Sequence, residues 1–525
     1  MPDGSINPWV IAVTVTLATF MEVLDTSIAN VALPHISGNL SAGADESTWV
    51  LTSYLVSNAI VLPLSGWLSG LIGRKRFYMS CVALFTVSSF LCGLAPSLGI
   101  LVFFRILQGA GGGGLQPSEQ AILNDTFPLE KRGMAFAVYG VAVVVAPTIG
   151  PWLGGWITDS FSWRWVFFIN IPIGIISLIL TSRMVSDPPE FKREVEMARK
   201  AGKLSIDYIG IALVAIGFAC LEVVLDRGER EDWFESHFIV IFFAIAIVAL
   251  VVAVIWELRY PDPVVELALL KERNFAISNA FYFMFGFTLF GSTVLIPQML
   301  QSLYGYRAID AGLVLGPGAF VITLLAPVGA QLVQNGIVKP RNLLFCAVIV
   351  VGLSFLHYSR FTLDTDYNHY AWARALQGFG YAFFFVPVSM IAYSQLKPGQ
   401  NNKASSITNF FRNWGGSFGI AFIGTLSERR LNFHQARVGD NLPSTAAGLQ
   451  QQVSHAAAFL QSRGFSPSDA FSAAYARFYG QLQSQAHLLA FMDCFRVIGI
   501  VTLIAAPLVL LTRSFNLGGK APAGH

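Results

Sequence analysis

A series of apolar segments, each long enough to cross a lipid bilayer, is the feature that most constrains this chain. A membrane-spanning helix needs about 20 predominantly apolar residues, and 54% of the 525 residues belong to the hydrophobic set. Only 12% are charged, whereas an ordinary globular domain has about 25%. The sequence therefore predicts an all-α protein that crosses the membrane many times.

Fourteen such segments can be placed along the chain. They lie near residues 9–34, 48–70, 77–96, 98–122, 133–158, 164–184, 206–225, 237–257, 276–301, 310–334, 341–358, 369–394, 404–426 and 488–512. The first begins at Trp9 without a basic region before it, and it carries two acidic residues. We expect it to be an uncleaved span rather than a signal peptide.

Basic residues set the orientation, because Lys and Arg close to span ends are retained in the cytoplasm. With the N-terminus inside, the cytoplasmic segments hold 20 of the 34 Lys and Arg, and the short outer loops hold five. Five more lie in one long outer loop at about 427–487. Both termini are therefore predicted to be cytoplasmic.

An internal repeat indicates how the spans are organised. Residues 105–111 read RILQGAG and residues 374–380 read RALQGFG, an offset of 269 positions. Because six spans fill only residues 9–184, spans 7 and 8 form an inserted pair between two six-helix units, and duplicated halves are typical of transporters. The predicted units are a six-helix bundle at 1–185, a cytoplasmic loop with two inserted spans at 186–260, and a second bundle at 261–525.

The long outer loop carries helix-start signals. Ser444 and Thr445 precede one Ala- and Gln-rich run, and Ser466 with Pro467 precedes another, as N-caps followed by Pro would. We expect a helical hairpin outside the membrane. A solvated loop without a partner is the alternative.

Acidic residues inside the membrane mark ion or substrate paths by default. Glu22 and Asp25 lie three residues apart in span 1, and they are predicted to exchange protons or, alternatively, to order the span as a hydrogen-bonded pair. Arg105 lies too deep in span 4 to reach the interface easily, so we expect it to pair with these acids, either for coupling or as a static ion pair. Glu119 is a further coupling candidate or an interfacial residue, and Glu222 in the inserted pair is expected to be peripheral.

A cavity for hydrophobic cations uses aromatic rings together with a few polar groups. The residues expected to line it are Asn30, Tyr54, Asn58, Gln108, Tyr282, Gln377, Tyr381, Asn409, Arg412 and Trp414. For any single aromatic residue, packing against lipid is the alternative.

Several function classes are disfavoured. Residues 109–114 match G-x-G-x-x-G and residues 415–419 match G-x-S-x-G, but both lie in predicted spans without a preceding strand. The P-loop motif G-x-x-x-x-G-K-[ST] is missing from the sequence, which argues against ATP as the energy source. The net charge of +3 does not indicate a nucleic-acid partner, and the five cysteines lack metal-ligand spacing. We expect no enzyme activity, no metal and no cofactor.

Five segments carry a family resemblance. Residues 24–34 (LDTSIANVALP) resemble the span-1 signature of the fourteen-helix drug:proton antiporters of the major facilitator superfamily, the EmrB/QacA type. Residues 66–75 resemble the superfamily's loop 2-3 motif, residues 105–111 its span-4 motif, and residues 150–155 (GPWLGG) its antiporter motif. Residues 163–172 and the long penultimate loop look closest to the EmrB subgroup.

This resemblance implies a major facilitator fold with 14 helices arranged 6 + 2 + 6 in the inner (cytoplasmic) membrane. It implies a proton-coupled antiporter that exports hydrophobic or amphipathic toxic compounds, with the proton gradient as energy source. An EmrA-like periplasmic adaptor and a TolC-like outer-membrane channel are the implied partners, besides the lipid bilayer. A specific exporter of an endogenous metabolite, lipid or siderophore is the alternative within the same class, and a non-transporting membrane scaffold or sensor is the alternative from another.

The resemblance also implies a set of gating and hinge residues: Gly66, Gly73, Arg74, Pro147, Gly150, Pro151, Gly154 and Gly155. The chain departs from the family at Gly70, where an Asp is usual, and the second-half counterpart has Val333 there. We therefore expect Arg74 and Lys75 to be held by span-end or carbonyl contacts rather than by that carboxylate.

Overall fold

The structure is a computed structural model that describes residues 7–187, 207–261, 263–396, 400–440 and 447–513. All regular secondary structure within these ranges is helical. Thirteen helical segments of this part of the chain are long and apolar enough to cross a membrane. The prediction of an all-α, multi-pass membrane protein is confirmed.

The described residues up to 187 form nine helices, which we call the N-terminal helices. They are α1 (Pro8–Asn39), α2 (Ala44–Ser47), α3 (Trp49–Ile72), α4 (Arg74–Leu94), α5 (Leu98–Gly112), α6 (Leu115–Thr126), α7 (Leu129–Ser160), α8 (Trp165–Phe168) and α9 (Asn170–Met184).

The middle pair and the C-terminal helices follow. The middle pair is α10 (Tyr208–Arg227) and α11 (His237–Arg259). The C-terminal helices are α12 (Arg273–Tyr304), α13 (Ala308–Leu313), α14 (Gly316–Gln334), α15 (Pro340–Tyr358), α16 (Tyr367–Ala382), α17 (Phe385–Ala392), α18 (Asn401–Asp440), α19 (Ala447–Ser462) and α20 (Pro467–Ala505).

Helix α18 contains the predicted span at 404–426 but is not among the thirteen apolar segments. Its 40 residues correspond to about 60 Å at about 1.5 Å per residue, roughly twice the thickness of the hydrocarbon core. The outer part of α18 therefore stands beyond the membrane. The count of fourteen spans, the cytoplasmic termini and the division into three units stay predictions.

Predicted span 4 is broken into α5 and α6 at Gly113 and Gly114. A Cβ at Gly113 would lie 2.8 Å from the carbonyl oxygen of Asn58, and one at Gly114 would lie 2.4 Å from Cys81 Sγ. The break thus brings the backbone against α3 and α4. The repeat copy shows the same interruption, between the end of α16 at Ala382 and the start of α17 at Phe385.

The N-terminal and C-terminal helices meet along two seams. Helix α7 packs on α14 along one seam, and α3 packs on α18 along the other. Helix α10 of the middle pair packs on both α3 and α18. Several polar residues of α1, α5 and α6 are buried, among them Glu22, Asp25, Arg105 and Glu119.

The outer hairpin, residues 427–487, combines the end of α18, helix α19 and the start of α20. Ser466 caps α20, because its hydroxyl accepts a hydrogen bond from the backbone N–H of Asp469 at 3.2 Å and Pro467 follows it. This predicted helix start is confirmed, whereas Ser444 and Thr445 lie outside the described residues. The two helices pack through small apolar side chains: Val453, Ala457, Ala470 and Ala474.

Candidate functional site

Asp25 and Arg105 form a buried ion pair between α1 and α5. Arg105 Nη1 lies 2.6 Å from Asp25 Oδ2, and the exposed fractions of the two side chains are 0% and 1%. Asp25 Oδ1 accepts further hydrogen bonds from Gln108 Nε2 at 2.9 Å and Asn170 Nδ2 at 2.7 Å. Arg105 Nε donates to the carbonyl of Val50 at 3.0 Å. The carboxylate is thus bound by one guanidinium and two side-chain amides.

Glu22 lies one turn before Asp25 and has a different environment. Its carboxylate accepts hydrogen bonds from Tyr54 Oη at 3.1 Å, from Asn58 Nδ2 at 3.3 Å and from Gln116 Nε2. All three donors are neutral, and among the residues the structure describes Glu22 has no ion pair. Because no cation holds it, Glu22 can gain or lose a proton without breaking a salt bridge.

Tyr139 of α7 links this carboxylate to the C-terminal helices. Its hydroxyl accepts a hydrogen bond from Arg412 Nη1 at 2.6 Å. The same hydroxyl lies within donating distance of Asn409 Oδ1, at 3.1 Å, and of Gln116 Oε1, at 3.4 Å. The amide group of Gln116 in turn bonds Glu22. A polar connection thus runs from Glu22 on α1 to Arg412 on α18.

Glu119, on α6, is a further buried carboxylate. Thr16 Oγ1 donates to its Oε1 at 2.5 Å, while Oε2 has no hydrogen-bond partner within the described part of the chain. Arg412 acts electrostatically on both Glu119 and Glu22. The structure therefore brings these three predicted residues into one buried polar region.

The C-terminal repeat places hydroxyls where the N-terminal repeat has an ion pair. Arg374 Nη1 donates to Ser292 Oγ at 2.9 Å and to Gln377 Oε1, and Nη2 lies 3.4 Å from Thr293 Oγ1. The repeat offset of 269 places the counterpart of Asp25 at position 294, directly after Ser292 and Thr293 on α12. The two halves share an Arg-x-x-Gln motif but differ in the charge that faces it.

The predicted cavity residues fall into separate groups. Tyr54 and Asn58 bind Glu22, Gln108 binds Asp25, and Asn409 lies beside Tyr139, as described above. In the C-terminal helices, Tyr282 Oη lies 2.6 Å from Ser389 Oγ, and the ring of Tyr381 packs edge-on against Phe285.

Two of the predicted cavity residues are not brought to this region. Asn30 is exposed further along α1. The ring of Trp414 packs against Phe218 of the middle pair and stacks on Phe410. It stays a prediction that the residues of this set line a substrate cavity.

The antiporter motif of α7 packs tightly on α1. A Cβ at Gly150 would lie 2.2 Å from Ser27 Oγ, and one at Gly154 would lie 3.1 Å from Ile28 Cγ2. Ser27 Oγ donates to the carbonyl of Pro147 at 3.1 Å. Within the helix this carbonyl has no donor from Pro151, four residues later, because proline has no backbone N–H.

The other side of the same helix approaches the C-terminal helices. A Cβ at Gly155 would lie 3.3 Å from Ile309, and Pro151 is in contact with Gly312. Helix α7 thus contacts both α1 and the C-terminal helices, and the gating role of the motif residues stays a prediction.

The loop 2-3 motif lies at the other end of the seams. Arg74 Nη1 lies 2.5 Å from Asp125 Oδ2 and 3.1 Å from the carbonyl of Ala121. Asn401 of α18 also donates to Asp125, at 2.6 Å. The expected carbonyl contact is present, but a carboxylate that sequence reasoning missed, Asp125 at the end of α6, also holds Arg74.

Two glycines complete this motif. A Cβ at Gly66 would lie 2.8 Å from Ser406 Oγ on α18, so glycine permits the close contact of the α3–α18 seam. Gly73 has φ = 94°, a conformation that side chains disfavour, and it separates α3 from α4.

Sequence reasoning also missed Gln116, Tyr139 and Asn170. Each is a single polar group within an apolar stretch, and such a group is rare enough in a membrane span to mark a contact. The sequence does not indicate which partner each one reaches, since Gln116 and Asn170 bind carboxylates 94 and 145 positions away and Tyr139 binds Arg412, which is 273 positions away.

Comparisons with known proteins agree with this arrangement. The family model for the Major Facilitator Superfamily matches residues 15–420. The multidrug export protein EmrB of Escherichia coli K12 is 37% identical over 435 residues, covering 82% of this chain and 83% of that protein. The fatty acid resistance protein FarB of Neisseria gonorrhoeae is 36% identical over 524 residues, covering 99% of both.

A solved structure shows the same fold. The crystal structure of the human organic anion transporter MFSD10 superposes with a TM-score of 0.59 at 13% sequence identity. The match covers 96% of this chain and 100% of that one.

Proposed function

The chain belongs to the Major Facilitator Superfamily, and we propose that it is a multidrug efflux transporter of the cytoplasmic membrane that exports hydrophobic and amphipathic compounds in exchange for protons. The proposal combines family membership with the similarity to the multidrug export protein EmrB. It rests on one structural observation above all, which is the connection from Glu22 through Gln116 and Tyr139 to Arg412.

This connection crosses from the N-terminal to the C-terminal helices, so it can relate proton binding to their relative position. While Glu22 is charged, its attraction to Arg412 favours the polar contact through Gln116 and Tyr139. When Glu22 takes up a proton, that attraction is lost and the contact weakens. Alternating access by rocking of two six-helix units about a central site would use this difference.

Asp25 and Arg105 contribute in another way under this proposal. Their ion pair, with the hydrogen bonds from Gln108 and Asn170 to Asp25, joins α1, α5 and α9, so it keeps the proton-exchanging part of α1 in place. Glu119, which has one partner for its two carboxylate oxygens in the described part of the chain, is a second candidate for proton binding.

A second substrate class is favoured by two observations. The similarity to FarB, a fatty acid resistance protein, extends over 99% of the chain and includes the outer hairpin. Arg412, buried and bonded to neutral groups, could bind the carboxylate of a long-chain fatty acid. A specific lipid exporter is therefore the alternative function, while a membrane scaffold or sensor has no observation in its favour.

We further propose that the outer hairpin docks a periplasmic adaptor and through it an outer-membrane channel. The hairpin presents exposed aromatic side chains beyond the membrane, among them Phe459, Phe465 and Tyr479. Aromatic residues are enriched at the centres of protein interfaces. An adaptor would carry substrate across the second membrane.

Efflux from loaded cells tests the proposed function. Energised cells that express the protein are loaded with ethidium, a lipophilic cationic dye, and its loss is followed with and without a protonophore. We expect efflux that the protonophore stops. Protonophore-resistant efflux would contradict proton coupling, and competition by a long-chain fatty acid but not by other drugs would favour the lipid exporter.

A further inference from the structure

Helix α10 of the middle pair contacts both sets of flanking helices through two acidic residues, one buried and one partly buried. Glu222 Oε1 accepts a hydrogen bond from Ser417 Oγ on α18 at 2.8 Å. Asp226, one turn further on the same face, accepts one from Thr52 Oγ1 on α3. These carboxylates therefore lie where the middle pair meets the α3–α18 seam.

Glu222 is buried near the C-terminal end of α10. It lies five residues before the end of the helix at Arg227, a rise of about 7.5 Å at about 1.5 Å per residue, and it is 5% exposed. It forms no ion pair with any basic residue that the structure describes. Such a group can exchange a proton more readily than an ion-paired acid, because ionised carboxylates are costly in hydrocarbon unless a cation compensates them.

An acidic face leads from Glu222 toward the outer surface. Glu222 and Asp226 are four residues apart, which places them on one side of α10, and Glu229 follows three residues later. Glu229 lies beyond the end of α10 and is half-buried against Gly424. Burial raises the pKa of Glu229, and the negative charge of Glu428 raises that pKa further.

The inner end of this face approaches the central site. Ser417, the partner of Glu222, lies one turn beyond Asn413 on α18. Asn413 Oδ1 accepts a hydrogen bond from Arg412 Nη2 at 3.1 Å. Glu222 thus contacts the helix face next to the arginine that connects to Glu22.

From this arrangement we propose that Glu222 binds and releases a proton in each transport cycle, so that the middle pair takes part in proton coupling. The inference rests on the proposed proton antiport. The Glu222 carboxylate takes one proton from water at the outer surface, by way of the acidic face, and becomes a neutral carboxylic acid. On release the proton returns to water and the carboxylate again accepts the hydrogen bond of Ser417.

Reconstituted full-length protein tests this inference. Glu222→Gln keeps the size and hydrogen-bonding ability of the side chain but cannot exchange a proton. Glu235→Gln is the matched control, since Glu235 lies exposed in the turn of the same middle pair. Ethidium transport is measured in proteoliposomes, once driven by a pH gradient and once as counterflow without a gradient, together with proton release when ethidium binds the purified protein.

We expect Glu222→Gln to slow gradient-driven transport about tenfold or more, a change of about 1.4 kcal/mol in activation free energy. Counterflow should stay within about twofold of the control, and fewer protons should be released per bound ethidium. Equal proton release and equal gradient-driven rates in the two variants would overturn the inference. Loss of counterflow in a folded Glu222→Gln protein would also overturn it, because Glu222 would then serve substrate movement itself.

Ser417→Ala provides a test that does not alter the acid. A carboxylate that has lost this donor should hold its proton to higher pH, so the pH profile of gradient-driven transport should move to higher pH while the maximal rate is retained. An unchanged profile would contradict the inference even if Glu222→Gln failed to fold. If a pH gradient does not drive ethidium transport by the wild-type protein, the proposed function itself fails. If it drives the wild-type protein and both variants equally, only the assignment of Glu222 fails.

Discussion

Glu22 and Asp25 lie one helical turn apart on α1, yet only Asp25 is held by a cation, with Arg105 Nη1 2.6 Å from its Oδ2. Glu22 is bound by the neutral groups of Tyr54, Asn58 and Gln116. Two carboxylates that are neighbours in sequence therefore have environments suited to different roles. Asp25 is suited to a fixed structural contact with Arg105, and Glu22, which has no such contact, is suited to proton exchange.

Loss of Arg105 should destabilise the protein. In Arg105→Ala the buried carboxylate of Asp25 loses its cation, a change that typically costs about 3–5 kcal/mol. We expect a lower yield and a lower midpoint of thermal unfolding in detergent. Arg105→Lys should recover only part of the loss, because Lys lacks the Nε–H that donates to Val50. The control is Arg360→Ala, at an exposed arginine, and an equal midpoint in the two Ala variants would contradict the structural role.

Exchange of the two acids for amides should separate stability from coupling. Asp25→Asn leaves the Arg105 guanidinium buried and unpaired, so the midpoint of thermal unfolding should fall. Glu22→Gln removes no ion pair, so the protein should stay folded and keep ethidium counterflow while gradient-driven export falls about tenfold or more. Gradient-driven export at the wild-type rate by Glu22→Gln would show that another acid, such as Glu119, carries the proton.

The hydroxyl of Tyr139 should be needed for transport more than for folding. Tyr139→Phe keeps the ring, which packs against Phe385, but removes the acceptor for Arg412 and the donor for Gln116 and Asn409. A lost hydrogen bond to a charged group is worth about 1.5–3 kcal/mol, which predicts a drop of about tenfold or more in the coupled rate. Tyr282→Phe, which loses only a bond to Ser389, is the comparison, and equal rates in both variants would argue against the connection.

Close packing of α7 on α1 can be tested with a double variant. A Cβ at Gly150 would lie 2.2 Å from Ser27 Oγ and 2.5 Å from its Cβ, so Gly150→Ala should force the helices apart and reduce efflux. Ser27→Gly removes both atoms, and the double variant should regain activity relative to Gly150→Ala. Additive losses in the double variant, measured by dye efflux at equal expression, would show that steric contact is not the cause.

The ion pair of Asp25 was predictable because a deep arginine needs an anion and span 1 supplies one. The repeat around Arg374 and the helix start at Ser466 were also predictable from the sequence. The polar connection through Gln116 and Tyr139 was not predictable, because a single polar group in an apolar span indicates a contact but not its partner. The carboxylate at Asp125 was missed for a similar reason, since the family position for the latch, Gly70, has no side chain.

Aromatic residues show a further limit of the sequence. Trp414 has the character of a cavity residue, but its surroundings depend on where the middle pair packs, and the helical period of α18 does not contain that information. Its ring lies 6.4 Å from that of Phe218 on α10. Glu222 was expected to be peripheral because it lies in the inserted pair, and its burial follows from the packing of that pair on α18.

Removal of the outer hairpin should separate transport from passage across a second membrane. Replacement of residues 440–480 by a short Gly/Ser linker leaves Arg430 and Asp493, whose ion pair at 2.5 Å joins α18 to α20 at the base of the hairpin. The packing between α19 and α20 is internal to the hairpin, so the membrane part should stay folded and transport ethidium in proteoliposomes, where no adaptor is present. In cells the same variant should lose resistance, because the compound must leave through an adaptor and a channel. Equal loss in both assays would mean that the hairpin supports the fold of the transporter itself, and equal retention would mean that no adaptor docks there.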